Sequence, residues 1–254
     1  MRAAGIDIGS RTVKLAILQD GQLVTSRKRE NSFDPLAVCR ELLAGERYDV
    51  VVSTGYGRHL FSERIGSRVV SEIKASAIGA RWLHDGCRTV IDVGGQDTKA
   101  IALDSAGRML RFEMNDKCAA GTGRFVEVIA MALGCGVAEF GALALSAERG
   151  HAINSTCAVF AESEIVGLIA RGVSRSEVAR GVAESIVVRT SSLAQRVGIA
   201  DDVLLIGGVA LNAPVREALA KRLNLRVHVP DDPQMVAAIG CALLAAEAER
   251  AANS

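Results

Sequence analysis

Apolar runs broken at glycines set the rhythm of the chain. Strand-like runs at about 3–8, 12–18, 22–30, 49–53, 88–93, 97–104, 108–114 and 202–206 alternate with helical periodicity at 34–44, 72–85, 122–134, 159–171, 175–197, 212–223 and 234–249. Strands mixed with helices in this way, with hairpins inside the pattern, predict an α/β fold.

One polar pattern occurs twice. "GIDIGSRTVKLAIL" (5–18) lies over "VIDVGGQDTKAIAL" (90–103) at a constant offset, matching Ile6 with Ile91, Asp7 with Asp92, Gly9 with Gly94, Lys14 with Lys99 and Leu18 with Leu103. A duplicated strand-turn-strand unit is the simplest account. It divides the chain into a first lobe, 1–86, and a second, 87–233, with a closing helical segment at about 234–254 packing back on the first lobe. A cleft between two such lobes is a common ligand site.

Composition narrows the function. The 254 residues are 49% hydrophobic, yet contain no run of about 18 uncharged apolar residues that would span a bilayer. The N-terminus enters a strand within a few residues, which leaves no room for a secretory signal, so a cytoplasmic protein without membrane attachment is expected. Net charge is +1, with signs interspersed, and aromatics are 4%, so no nucleic-acid partner is expected. Six cysteines in such a compartment point to reduced, buried or metal-bound thiols rather than disulfides.

The two turns carry the first candidate chemistry. Gly9-Ser10 and Gly94-Gly95 let the backbone approach a ligand and point successive N–H groups into one concavity, which suits phosphate oxygens. Asp7 and Asp92, just before the glycines, would repel a phosphate unless a cation intervened, so they are read as Mg²⁺ partners, directly or through water. Of Lys14 and Lys99, five residues after the glycines, at least one is placed to neutralise phosphate charge. Read singly, each copy is equally a plain hairpin with solvated charges; the duplication favours a phosphate site. A third segment, "VLLIGGVALN" (203–212), ends a strand in Gly207-Gly208, where a flat ring or ribose can lie against backbone.

Two cysteines stand apart. Cys118 in "NDKCAAGTGRF" precedes a helix read as opening with Ala-Gly-Thr-Gly, and Cys157 in "NSTCAVFAESE" precedes another. A helix N-terminus lowers a thiol's pKa and stabilises anionic sulfur. Two thiolates fall short of the four usual for an iron-sulfur cluster, whereas a symmetric dimer supplies four. From spacing alone, two inert cysteines are the simpler reading, and zinc at four thiolates is chemically open. Cys39, Cys87, Cys135 and Cys241 are read as structural filler.

The ordered phosphate, phosphate and adenosine segments resemble the actin/Hsp70/sugar-kinase ATPase superfamily. That likeness implies two ribonuclease-H-like lobes with an interlobe nucleotide cleft. "GIDIGSRTVK", "STGYGR", "IDVGGQDTK", "NDKCAAGTGRF", "CAVFAESE", "GGVALN" and "PDDPQMVAAIGCALLA" together resemble one family closely. This is the ATP-dependent activators, or archerases, of 2-hydroxyacyl-CoA dehydratases, with the related ATPase subunits of benzoyl-CoA reductase. The resemblance implies a homodimer bridged by one 4Fe-4S cluster on Cys118 and Cys157, and ATP/ADP with Mg²⁺ as further cofactors. It also implies a ferredoxin or flavodoxin as donor and a dehydratase as electron acceptor. Carried over by motif, Ser10, Arg11, Thr12 and Lys14 line the first turn, Gly94, Gly95 and Gln96 the second, and Gly207 and Gly208 meet adenosine. Arg11 departs from the small residue usual after Gly-Ser.

The expected activity is ATP hydrolysis coupled to electron transfer, with Gln96 orienting the attacking water and Asp7 and Asp92 holding the Mg²⁺ shell. The alternatives are the benzoyl-CoA reductase subunit, a small-molecule kinase on the same scaffold, and a non-catalytic nucleotide-switched scaffold. "STGYGR" (53–58) is expected at a strand-to-loop turn, with no chemistry assigned.

Overall fold

The computed structural model describes residues 1–154 and 157–252; Ser155 and Thr156 of "NSTCAVFAESE" and the last two residues of the closing segment lie outside them. The chain divides into two compact units. One holds Met1–Val90, Leu103–Leu110 and the segment from Pro230 onward; the other holds Ile91–Ala102 and Arg111–Val229.

The first unit runs β1 (Arg2–Ile8), β2 (Thr12–Gln19), β3 (Gln22–Glu30), α1 (Pro35–Leu43), β4 (Val50–Gly55), α2 (Arg58–Ile65), β5 (Arg68–Val69) and α3 (Glu72–Leu83). The second follows with β6 (Thr89–Val93), β7 (Thr98–Leu103), β8 (Met109–Asn115), α4 (Gly123–Ala132), α5 (Val137–Leu145), α6 (Ala158–Ala170) and α7 (Arg175–Val197). It closes with β9 (Val203–Ile206), a 3-10 turn (Gly208–Leu211), α8 (Ala213–Leu223) and β10 (Val227–His228), before α9 (Val236–Ala252) returns to the first unit.

Both five-stranded sheets share one plan. Their orders are β3-β2-β1-β4-β5 and, read in the matching direction, β8-β7-β6-β9-β10. In the first sheet β1 pairs antiparallel with β2 and parallel with β4, placing Asp7 opposite Lys14 on one side and Thr54 on the other. The repeated sequence phrase is thus the central hairpin of a repeated sheet.

Alternation along β1 explains why it reads as continuously apolar. Ala4, Ile6 and Ile8 join Val13, Leu15, Val38, Cys39, Leu42 and Phe61 in one core, beneath α1 and α2. Ala3 packs with Val52, Ala75, Ala237, Cys241 and Ala245 on the opposite face, beneath α3 and α9. Covered on both faces, the strand has no solvated side on which polar residues would show. Each buried Ile or Leu in these layers contributes roughly 1.5–3 kcal/mol over its exposed state. The second unit buries β6, β7 and β9 under α4 to α8, with Phe125, Ile129, Phe140, Ile165 and Ile186 at its centre.

The periodic elements appear where the pattern predicts them, while α2, α5, β5 and β10 do not follow from it. Helix α2 buries only Phe61, so it has no apolar stripe to read. The two short strands have two residues each, too few for a period. Among the described residues no single helix is long and apolar enough to cross a membrane.

Candidate functional site

The first turn is short because its backbone closes on itself. Gly9 N–H donates to Thr12 O at 3.1 Å, and the end of β3 fastens the turn: Asn31 Nδ2 donates to Gly9 O at 2.7 Å and Asn31 N–H to Arg11 O at 2.9 Å. With the carbonyls held from behind, Ser10 and Thr12 are half-buried and Arg11 is exposed. Asp7, only 3% exposed, accepts from Lys14 Nζ through Oδ2 at 2.9 Å. Its Oδ1 is buried and has no hydrogen-bond partner among the described residues.

That orphan oxygen lies against Gly55, at the end of β4, inside "STGYGR". Gly55 has φ +86, and a Cβ there would sit 2.6 Å from Asp7 Oδ1 as well as overlapping Ile8 O. Only glycine lets the β4 turn pass so close to the carboxylate. The second unit repeats the contact: Gly207, φ +87, follows β9, and its Cβ would sit 2.6 Å from Asp92 Oδ1 and overlap Val93 O. "STGYGR" therefore occupies in the first unit the position that "IGGVALN" occupies in the second. Within "IGGVALN" the chain passes through the 3-10 turn before Asn212 caps α8, its side chain accepting from Val215 N–H.

The second turn differs in its charges. Gly94 N–H donates to Asp97 O at 2.9 Å, with Gly94 and Gly95 half-buried and Gln96 exposed, at the position Arg11 holds in the first copy. Lys99, 1% exposed, stands 2.6 Å from Asp97 Oδ1 and 3.7 Å from Asp92 Oδ2. Asp97, 6% exposed, is a site residue that the sequence reading left unassigned. Its signal was present in the alignment of the two phrases, which sets Asp97 against Thr12, an acid in place of a hydroxyl two residues before the lysine.

Behind this turn lies the loop that carries Cys118. Gly123 N–H donates to Gly94 O and Arg124 N–H to Gly95 O, both at 2.8 Å, and Thr98 Oγ1 donates to Gly121 O at 3.0 Å. The loop is further set by Asn115 Nδ2 on Cys118 O at 3.1 Å and Thr122 Oγ1 on Ala119 O at 2.6 Å. Here the structure corrects one expectation: Ala120, Gly121 and Thr122 lie in a loop, and α4 starts only at Gly123, five residues after Cys118. The first free N–H groups of α4 are taken by turn carbonyls, so they do not face the thiol. Cys157, in contrast, is the N-cap residue of α6.

The donor sets fit the implied groups. A buried carboxylate oxygen without a partner at Asp7, beside a lysine and a glycine turn, suits a hydrated hard cation and phosphate oxygens. Among the described residues Cys118 and Cys157 form no disulfide and are half-buried, whereas Cys39, Cys87 and Cys241 are buried. Burial pushes the Cys39 thiol up to about 12 and the Cys241 thiol well above the usual range, so neither readily offers a thiolate. Cys135 is half-buried, with its Sγ–H on Ala130 O.

Comparison with known proteins places the chain in a family. A family model described as the BadF/BadG/BcrA/BcrD ATPase family matches residues 4–245. The chain is 41% identical over 262 residues to the activator of lactoyl-CoA dehydratase of Anaerotignum propionicum, covering 98% of each. It superposes on the activator of the 2-hydroxyisocaproyl-CoA dehydratase from Clostridium difficile with bound ADPNP, with TM-score 0.92, 38% identity and coverage of 100% of this chain and 97% of that one. A ROK family glucokinase from Streptomyces griseus, at 14% identity, matches with TM-score 0.61 over 97% of this chain and 100% of that one, a likeness of fold alone.

Proposed function

The chain belongs to the BadF/BadG/BcrA/BcrD ATPase family, and from that premise we propose that it is the ATP-hydrolysing, iron-sulfur activator of a 2-hydroxyacyl-CoA dehydratase. The observation that carries this reading is the occurrence, in one chain, of two acid-glycine-lysine turns and two half-buried cysteines outside any disulfide, Cys118 and Cys157. A small-molecule kinase has use for the turns but none for the thiols.

In this reading the N–H groups of Ser10 and of Gly95 bind phosphate oxygens, those of Gly9 and Gly94 being spent within their own turns, and Gly207-Gly208 meets adenosine. Lys14 offsets phosphate charge while Lys99 balances the buried Asp92 and Asp97, and Asp7 and Asp92 would hold a hydrated Mg²⁺, which when bound would neutralise charge developing on the transferred phosphoryl group. Gln96 is exposed at the tip of the second turn, where its amide can donate to one phosphate oxygen and accept from the attacking water. No covalent intermediate is required. Ser10 and Thr12 supply hydroxyl donors, and Arg11, exposed at the first turn's tip, adds charge without a fixed geometry.

Cys118 and Cys157 from each of two copies would supply the four thiolates of one 4Fe-4S cluster, which when bound provides a one-electron redox centre of low potential. This chain's part is to position those sulfurs and to exclude the buried cysteines from competing for iron. A ferredoxin or flavodoxin would be the donor and the dehydratase the acceptor.

The test is a reconstitution. Protein purified anaerobically, reduced with dithionite and mixed with an oxidised 2-hydroxyacyl-CoA dehydratase is expected to switch on dehydration only when Mg-ATP is added. ATP turnover stimulated by a sugar, in protein without iron, would establish the kinase reading instead.

A further inference from the structure

We infer that Thr98 is a positioning residue that ties occupancy of the second glycine turn to the order of the loop carrying Cys118. The inference rests on the nucleotide reading given above, and it names the path by which a phosphate at Gly94-Gly95 reaches one of the two cysteines.

Three bonds make the turn and the loop one piece. Gly94 O and Gly95 O accept from Gly123 and Arg124 N–H, and the Thr98 hydroxyl donates to Gly121 O. Gly123 packs closely on the turn: a Cβ on it would lie 3.3 Å from Gly94 O and 3.4 Å from Gly95 Cα. Thr98 is 4% exposed, so its bond is shielded from water, and breaking it would leave a buried hydroxyl and carbonyl without partners. A displacement of the turn is therefore carried into residues 121–124, and through Ala119 and Ala120 to Cys118. Asn115 on Cys118 O, from the end of β8, fixes the loop's other end, so the loop does not swing as a whole.

The duplicated unit supplies an internal control. The residue matching Thr98 in the first copy is Val13, fully buried and without a hydroxyl. There the turn carbonyls of Gly9 and Arg11 are held by Asn31, the residue just after β3, and no helix is involved in those bonds. The same turn has thus been wired to a different backing in the unit that carries the cysteines. Linkage makes the coupling reciprocal: whatever factor nucleotide adds to the order of the Cys118 loop, ligation at that loop adds to nucleotide affinity.

The test is amide hydrogen exchange, read by mass spectrometry on a peptide spanning 119–126 of the full-length protein with and without Mg-ADPNP. ADPNP is expected to slow exchange there in the wild type and in Thr98→Ser. In Thr98→Val the slowing falls by about fivefold, the size of one neutral hydrogen bond, and by linkage ADPNP affinity falls by no more than that same factor. If Thr98→Val does not fold, Thr98→Ala removes the same hydroxyl with less bulk and serves the same comparison. Equal slowing in Thr98→Val or Thr98→Ala and the wild type overturns the inference. So does a wild type that binds ADPNP without slowing in 119–126, and in that case the nucleotide reading stands. A wild type that binds no ADPNP overturns both.

Discussion

The two glycine turns start from nearly the same phrase and end in different mechanical settings. In the first, one carboxylate meets one half-buried lysine, and the turn's carbonyls are tied to Asn31 at the end of β3. In the second, a fully buried lysine is shared between Asp97 and Asp92, and the carbonyls are tied to the N-terminus of α4, just beyond the Cys118 loop. What stayed constant is the aspartate lying against a left-handed glycine, Asp7 with Gly55 and Asp92 with Gly207. What diverged is everything behind the turn. The aspartate–glycine contact is preserved while the rear attachments of the turns differ.

The charge difference predicts the largest effect. Lys99→Met leaves Asp92 and Asp97 buried together without their cation, and is expected to cost about 3–5 kcal/mol in urea unfolding. Lys14→Met, with one carboxylate and a partly exposed lysine, is expected to cost clearly less. Equal losses would erase the distinction between the turns.

The tips of the turns come next. Gln96→Ala is expected to slow ATP hydrolysis on the order of 100-fold through a misplaced water while leaving ADPNP affinity near that of the wild type. The matching Arg11→Ala is expected to change hydrolysis far less. A parallel loss of affinity and turnover in Gln96→Ala would remove its water-positioning role.

The shared feature predicts the smallest and most even effect. Gly55→Ala and Gly207→Ala each force a side chain into the left-handed region against a carboxylate oxygen, and are expected to lower stability by about 1–3 kcal/mol, similarly in both units. A large inequality in thermal unfolding would mean that "STGYGR" and "IGGVALN" are not equivalent positions.

Much of the fold was legible because the chain alternates where strands are covered and repeats where the sheet repeats. Asp7, Gly9, Lys14 and their copies announced themselves by recurring. Helix α5, "VAEFGALAL", gave no outline because it is apolar around most of its circumference and sits between glycine-rich loops. Asp97 shows in the sequence only as a difference between the copies, an acid where the first has Thr12, and its tie to Lys99 is set by a distance that the spacing alone does not give. The link from the second turn to Cys118 was invisible for a deeper reason: two of its three bonds are backbone to backbone, and backbone has no sequence signature beyond a glycine such as Gly123. The same bonds overturn the expectation that Cys118 opens a helix, since the donors expected to face its sulfur are spent on Gly94 and Gly95.

The central claim, that this ATPase-family chain supplies Cys118 and Cys157 to one cluster shared by two copies, is tested most directly by iron and acid-labile sulfide analysis of anaerobically purified protein. The wild type is predicted to contain about four iron and four sulfide per two chains, as a 4Fe-4S centre requires. Cys118→Ala and Cys157→Ala are each predicted to abolish both, while Cys39→Ala, whose thiol burial holds at about 12, retains them. Zinc in place of iron, or iron retained in Cys118→Ala, would contradict the account.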